Sequence, residues 1–571
     1  MMKKLALLSL LALCTLLLAQ YDEKEIMIKK AQRLINQRQY ENADQIYVDL
    51  LRDYPGDPDI VEKYISNLLR QNKTDKADEV LEDYRPQLAD IDYIRQKIAI
   101  QLSQGQVRAA RDHATDYIRE NAGKISDYKI LANVFERFRE YEKALDIYLE
   151  ARKAAKDQDL YSRELAHVYE NLSRYDKALS EYLNYLESNE KYLNFIYNRI
   201  KNILSEEPDL LAIVENVALT SINPNVREIY GLCLGDAGQL DRALEVYESL
   251  DAEKLEEFAA RQLSAGNYET ALKAYEAYQE RIKEPYLQAD AKIEIARIYL
   301  SLNMLTDAER ILRAVYDDEE ITRGKFRYKT SASRLCREML AEIALRRGDP
   351  GETVLSLLEE AKQFTFNKKL DKEIDYKIIH YYIMNEDYQL AKEKLHQQMR
   401  DEEIGTETYK SGFYYLYLLA VMTGDPAADS LLGEVIINIP ENEVTNDALD
   451  LFVVSGELDR EQKAIYLQAF RERQLLKTDK AIDLLLELYE TARKERILVI
   501  AGQWALTAGM YDRAREIYSY QFEQEIDASY AELMRTRMIL EKTRRNMAAV
   551  DFLKNNAGSV FAPAFRQLIV D

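Results

Sequence analysis

The sequence predicts an all-α chain, an α-solenoid of stacked antiparallel helix hairpins, and three observations carry that expectation. Alanines at Ala43, Ala77, Ala110, Ala144, Ala178 and Ala212 recur every 33 or 34 residues, a period long enough for two helices and their turns. Only 18 Gly and 10 Pro punctuate 571 residues, too few for the tight turns of an all-β sandwich. The length exceeds what one hydrophobic core supports, and 47% apolar with 31% charged residues gives a structured chain rather than a disordered one.

Taken in chain order, the first element is an address. Lys3 and Lys4 precede an apolar run from Leu5 to Leu18, after which Gln20, Tyr21, Asp22 and Glu23 turn the chain polar. These 14 residues are shorter than the roughly 20 needed to span a bilayer, so residues 1–19 read as a secretory signal peptide cut after Ala19. Cys14 follows Leu13, where a lipoprotein signal has a small residue, and lipidation at Cys14 is not expected. The chain is therefore expected to be exported, to a periplasm or cell envelope. Cys233 and Cys336 then remain, about three units apart and beyond disulfide reach, as buried free thiols.

The regular array follows, over residues 20–310. Tyr40-Glu41-Asn42-Ala43, Tyr141-Glu142-Lys143-Ala144 and Tyr175-Asp176-Lys177-Ala178 are each followed one helical turn later by Tyr47, Tyr148 and Tyr182. Upstream stand Ala31, Ala132 and Ala166, with Leu34, Phe135 and Tyr169 along the same helical face. Small residues let two helices cross closely, and the rings fill the space between successive pairs. Pro55 and Pro224 fall where a helix must stop.

In Tyr128, Leu131, Ala132, Phe135, Ala144, Tyr148 and Ala151 the pattern resembles the tetratricopeptide repeat (TPR) family, position by position. Looser copies continue at Gly231-Gly238-Ala243-Tyr247, Ala259-Gly266-Ala271-Tyr275, Ala296-Tyr299-Ala308 and Gly502-Gly509-Ala514-Tyr518. The resemblance implies a right-handed superhelix of about thirteen to fifteen hairpins whose concave face binds a protein or peptide. It departs from the family where Tyr128 stands at the tryptophan position and where the spacing slips after Ala212. Residues 311–527 read as divergent repeats, interrupted by charged insertions at 317–329 and 401–407, and residues 528–571 as a helical cap.

Against that frame the candidate chemistry is sparse. A net charge of −22 argues against nucleic acid and anionic lipid as partners. Gly231, Gly235 and Gly238 imitate a phosphate loop, but no strand precedes them and two of them occupy repeat positions. His113, His167, His380 and His396 never pair at metal-ligand spacing, so no metal or other cofactor is expected. Arg95, Lys129 and Arg163 share one register position on three successive first helices, a basic ladder able to hold a carboxylate; internal ion pairing with Asp92, Glu136 or Glu170 is the alternative. Lys129 with Asn133 resembles the opening pair of the TPR carboxylate clamp, which the following units do not complete, offering Glu164, Asn194 and Asn198 instead. His167 projects toward the same inner surface.

The function expected is a non-catalytic interaction scaffold or adaptor of the cell envelope, with Arg95, Lys129, Asn133, Arg163 and His167 as groove residues. Two rivals stand beside it: a permanent subunit of an envelope complex, and a helical-repeat enzyme whose site lies beyond residue 310.

Overall fold

A computed structural model of the chain describes residues 24–570 apart from 325, 327, 401–404, 440–442 and 540. The leader with Cys14, and the start of the 401–407 insertion, lie outside the described residues. Helices joined by short turns make up the described chain, and no strand occurs among those residues. Compactness divides it into two units, one ending at Leu250 and one starting at Asp251. Each is an α-solenoid of stacked helix pairs. That division reflects packing, whereas the sequence change near residue 310 reflects how regular the repeats are.

Among the described residues seven hairpins build the first unit, beginning with residues 24–36 and Tyr40–Asp53 and ending with Pro224–Asp236 and Leu240–Glu248. Their timing comes from packing. Ala31, Ala132 and Ala166 on first helices, and Ala43, Ala77, Ala110, Ala144 and Ala178 on second helices, are fully buried, and Tyr47, Tyr148 and Tyr182 fill the spaces beside them. Ala212 breaks the series. It is exposed near the start of helix Leu211–Thr220, which buries Val214 and Ala218 instead, because the turn Pro208–Leu210 shifts the helix register. Pro224 likewise begins a helix rather than only ending one: it occupies the first turn of Pro224–Asp236, where its missing N–H costs nothing, and Asn223 caps that helix by accepting from the Asn225 N–H.

The backbone repeats as faithfully as the side chains. Between the helices of successive hairpins one residue takes the left-handed conformation, at Arg38, Asn72, Gly105, Arg139 and Ser173, with φ between 56° and 75°. The next residue's N–H then reaches back to a carbonyl in the last turn, as from Gln39 to Leu34 (2.9 Å) and from Glu140 to Phe135 (2.9 Å). This closes the orphan carbonyls of each first helix.

In the second unit the pairing continues with more variation. Helices Ala252–Ser264 and Tyr268–Arg281 form an ordinary hairpin, as do Arg460–Gln474 and Thr478–Ala492, while Glu443–Gly456 stands between hairpins. The charged insertion at 317–329 contains a helical turn, Glu319–Thr322. Asp318 caps it by accepting from the Glu320 and Ile321 N–H groups, and Ile321 is buried in the core around Cys336. An apolar side chain at the right place turned a charged stretch into an anchored one. The chain closes with Glu525–Arg537, Lys542–Asn555 and Ala562–Val570, where the rings of Phe552 and Phe565 stack at 3.9 Å. Cys233 and Cys336 are buried and free, as expected; burial pushes their thiols up to about 12 and about 11.

Candidate binding surface

Three first helices of the leading unit carry the candidate side chains, Asp90–Ser103, Ile125–Arg137 and Ser162–Asn171, between the first helices Pro58–Arg70 and Leu193–Glu206. Each buries one stripe against its own hairpin and leaves the opposite stripe free, so residues one repeat apart line up. Arg95, Lys129 and Arg163 do share that stripe, and none carries its charge alone. Arg95 pairs with Glu62 (2.7 Å) and Asp92 (3.1 Å), Lys129 with Glu164 (2.6 Å), and Arg163 with the same Glu164 (3.2 Å). Lys129 also lies 5.6 Å from the Tyr161 ring centre, and Arg163 5.9 Å from that of Tyr185.

Internal pairing therefore prevails, with a broader cast of acids than the sequence suggested. Asp92 was foreseen, while Glu62 and Glu164 do most of the neutralising. Burial acts to raise the Glu164 carboxyl, but the Lys129 bond, its own backbone N–H and Arg163 outweigh it and leave the group below the ordinary glutamate value. The periodicity that revealed the cations held the signal for these acids as well, since Glu62 precedes Arg95 by 33 residues and Glu164 follows Lys129 by 35.

Asn133 and His167 stand one repeat apart on the same stripe, and each is tied to Glu136 or its neighbour. The Tyr148 hydroxyl donates to Glu136 Oε1 (2.7 Å) and lies 2.9 Å from Asn133 Oδ1. His167 Nε2 stands 4.0 Å from Glu136 Oε2, and its ring lies beside the Asn171 amide. Glu136 is held above the ordinary glutamate value by burial, against the opposing Tyr148 bond. One repeat on, Tyr182 donates to Glu170 Oε2 (2.7 Å), which Arg199 also pairs (2.7 Å). Asn133 is exposed, and its Oδ1 lies against the Tyr148 hydroxyl.

Arg137 gives the surface its shape. Its guanidinium stands 3.6 Å from Glu62, reaching from helix Ile125–Arg137 to helix Pro58–Arg70 across the helix that separates them. Side chains two repeats apart can meet only if the face they share is concave. At the start of this face a cavity of about 230 Å³ is lined by Gln32, Ile35, Tyr47, Glu62, Lys63, Ser66, Asn67 and Arg70. Tyr47 is fully buried and Asn67 is 1% exposed, yet the Tyr47 hydroxyl and Asn67 Oδ1 have no hydrogen-bond partner.

The second unit contributes an aromatic and charged cluster that sequence reading did not single out. Arg473 pairs with Asp447 (3.0 Å) and lies 4.9 Å from the Trp504 ring, Arg496 pairs with Asp450 (2.7 Å), and Tyr376 stacks on Tyr415 at 4.9 Å. His380 packs edge-on to Tyr415, and its burial pulls the imidazole down to about 4, so it is neutral at pH 7. Among the described residues no group of three or more His, Cys, Asp and Glu could hold a metal ion, and no helix is long and apolar enough to cross a membrane.

No family model matches this chain, and no curated protein does. Solved structures match it at low similarity. The crystal structure of the APC/C hetero-tetramer Cut9–Hcn1 matches at 14% identity and TM-score 0.27, covering 75% of this chain and 95% of that one. The structure of Naa15/Naa10 bound to HypK-THB matches at 13% identity and TM-score 0.26, covering 96% and 95%. The human IFIT1 dimer with m7Gppp-AAAA matches at 14% identity and TM-score 0.29, covering 65% and 90%. The three are tetratricopeptide-repeat proteins.

Proposed function

We propose that this protein is a non-catalytic interaction scaffold of the cell envelope, which holds a protein or peptide segment along the concave face of its leading unit. The observation that carries the reading is the contact of Arg137 with Glu62 over the intervening helix. A concave strip of side chains on rigid helices offers a segment far more contact than a convex one, and its chemistry can vary without unfolding the hairpins beneath. Paired charges suit such a strip, since ion pairs held in place by neighbours give specificity at little ordering cost. Export is supported by the apolar leader from Leu5 to Leu18.

A photo-crosslinking amino acid tests this. Placed at Arg137 or His167 on the strip, it should trap a discrete protein partner in the periplasmic or envelope fraction. The same group at Arg119, on the second-helix layer, should trap none. Equal trapping from both layers overturns the reading.

A second reading, a permanent subunit of an envelope assembly, draws on the second unit. Ile437 is 74% exposed, and Phe452 and Val453 are also exposed on the neighbouring helix Glu443–Gly456. Such side chains suit a lasting apolar interface. Light scattering on the purified chain separates the two: a stable monomer favours the adaptor.

A further inference from the structure

A net charge of −22 hides a local reversal in the second unit. The insertion at 317–329 has two halves: acids run from Asp317 to Glu320, whereas the stretch from Arg323 to Lys329 holds four Lys or Arg and no acid. Phe326 and Tyr328 alternate with those cations. The next connection between hairpins has the same make-up, since Phe364-Thr365-Phe366-Asn367-Lys368-Lys369 carries two rings and two cations and again no acid.

The fold brings the two stretches together. The Tyr328 and Phe366 ring centres lie 4.7 Å apart, which joins the connection before helix Ala332–Arg347 to the one before helix Lys368–Met384. Both are braced at the base. Ile321 is buried, the Thr330 hydroxyl donates to Asp290, and the Arg337 guanidinium lies 4.3 Å from the Tyr316 ring and 4.2 Å from the Phe364 ring. The outer groups are open: Tyr328 is 73% exposed and Phe366 55%, and Arg323, Lys329, Lys368 and Lys369 are exposed around them. Arg323, Lys368 and Lys369 make no ion pair among the described residues. Lys368 and Lys369 also stand in the first turn of a helix, where the macrodipole disfavours a cation and a nearby anion relieves it.

We infer that this patch docks on the surface of an anionic lipid bilayer, with the Tyr328 and Phe366 rings in the headgroup layer and Arg323, Lys329, Lys368 and Lys369 against lipid phosphates. Rings this open have no protein wall beside them to shape a peptide groove, and a pair already in contact leaves no gap for a base to enter. A bilayer surface requires neither. Aromatic rings partition into its headgroup layer, and each cation near the surface adds attraction to anionic lipid. The acids from Asp317 to Glu320 oppose that attraction, so its strength is set by the balance between the two halves of the insertion. The inference stands apart from the peptide-binding reading, which concerns the leading unit.

Vesicle flotation tests it, using the chain from Gln20 onward, which keeps every described hairpin and leaves out the apolar leader. The chain should float with vesicles that contain about one third phosphatidylglycerol and not with phosphatidylcholine alone. Lys368→Glu with Lys369→Glu, and separately Tyr328→Ser with Phe366→Ser, should each lower the partition coefficient by about tenfold or more. Glu319→Gln with Glu320→Gln should raise it. The same charge reversal at the exposed Arg111 and Arg119 of the first unit should change it by less than about twofold. Every substituted side chain is exposed, so helical circular dichroism should stay unchanged in all four variants. No flotation with either vesicle, equal flotation with both, or equal losses from the two charge reversals overturns the inference. Retention on immobilised poly-glutamate without flotation also overturns it and assigns the patch to an acidic protein.

Discussion

Arg152 donates one hydrogen bond to each carboxylate oxygen of Glu181, both 2.6 Å long, and so bolts helix Tyr141–Ala155 to helix Tyr175–Glu187 of the next hairpin. The two side chains are 9% and 11% exposed, and the remaining guanidinium donors reach the Leu160 carbonyl (2.8 Å) and the Ser162 hydroxyl (2.9 Å). Every polar atom in this seam has its partner.

Removing one member therefore strands a buried charge. Glu181→Ala should lower the unfolding free energy by about 3–5 kcal/mol, whereas Arg152→Met with Glu181→Leu together should cost much less, because neither variant partner is then left charged. Asp116→Ala, which breaks an exposed pair with Arg119, should change stability by no more than about 0.5 kcal/mol. Urea unfolding followed by helical circular dichroism measures all three. A Glu181→Ala loss as small as that of Asp116→Ala would show the seam to be dispensable.

Equivalent tyrosines should respond with opposite sign to the same substitution. Tyr148→Phe leaves the Glu136 carboxylate without the hydroxyl that donates to it and should destabilise by about 1–2 kcal/mol. Tyr47→Phe removes a buried hydroxyl that has no partner and should be neutral or stabilising by up to about 1 kcal/mol. Thermal unfolding of the two variants beside the parent decides the matter, and a matching loss in both would mean that the Tyr47 hydroxyl is satisfied after all.

How far the sequence reveals this molecule depends on the kind of residue asked about. Ala43, Ala144 and Tyr148 announce the hairpins because packing at a close helix crossing tolerates so few alternatives that the period survives in plain sight. Ala212 misleads because a repeated letter does not fix register once a proline turn intervenes. The cations Arg95, Lys129 and Arg163 were legible as a row. Their acids lay one repeat away from them in the same sequence, but Glu62 and Glu164 sit at two different repeat positions, so which acid meets which cation depends on side-chain reach. The cavity beside Tyr47 is marked in the sequence only by an absence, the isoleucine at position 35 where later repeats hold Glu136 and Glu170, and an absence is read only once the later bonds are known.

The turn residues give a third prediction. Arg139 holds a left-handed backbone at φ 61°, a conformation strained for a residue with a Cβ, at the position where Gly105 holds φ 75° in the preceding hairpin. Arg139→Gly should raise the unfolding free energy by about 0.5–1 kcal/mol, the relief of backbone strain exceeding the added freedom of the unfolded chain. Chemical denaturation measures it; a decrease would show that the Arg139 side chain contributes more than its backbone costs.

Alkaline titration should unfold the chain in step with its tyrosines. Burial holds the phenols of Tyr47, Tyr182 and Tyr415 up at about 12, above the ordinary value of 10.0. Between those two values the unfolded state has released protons that the folded state still binds, so stability is fully present below pH 10 and falls as the pH rises toward 12. Cys233, pushed up to about 12 by burial, acts in the same direction from pH 9 upward. The share of the tyrosinate absorbance near 295 nm that comes from these buried rings should therefore rise together with loss of the helical signal at 222 nm, as one cooperative step above pH 10. Alkylation by iodoacetamide should reach Cys233 and Cys336 only within that step. Complete ionisation of all 41 tyrosines with the helices intact, or thiols that alkylate readily at pH 8, would show that the hairpins open to solvent far more often than their packing implies.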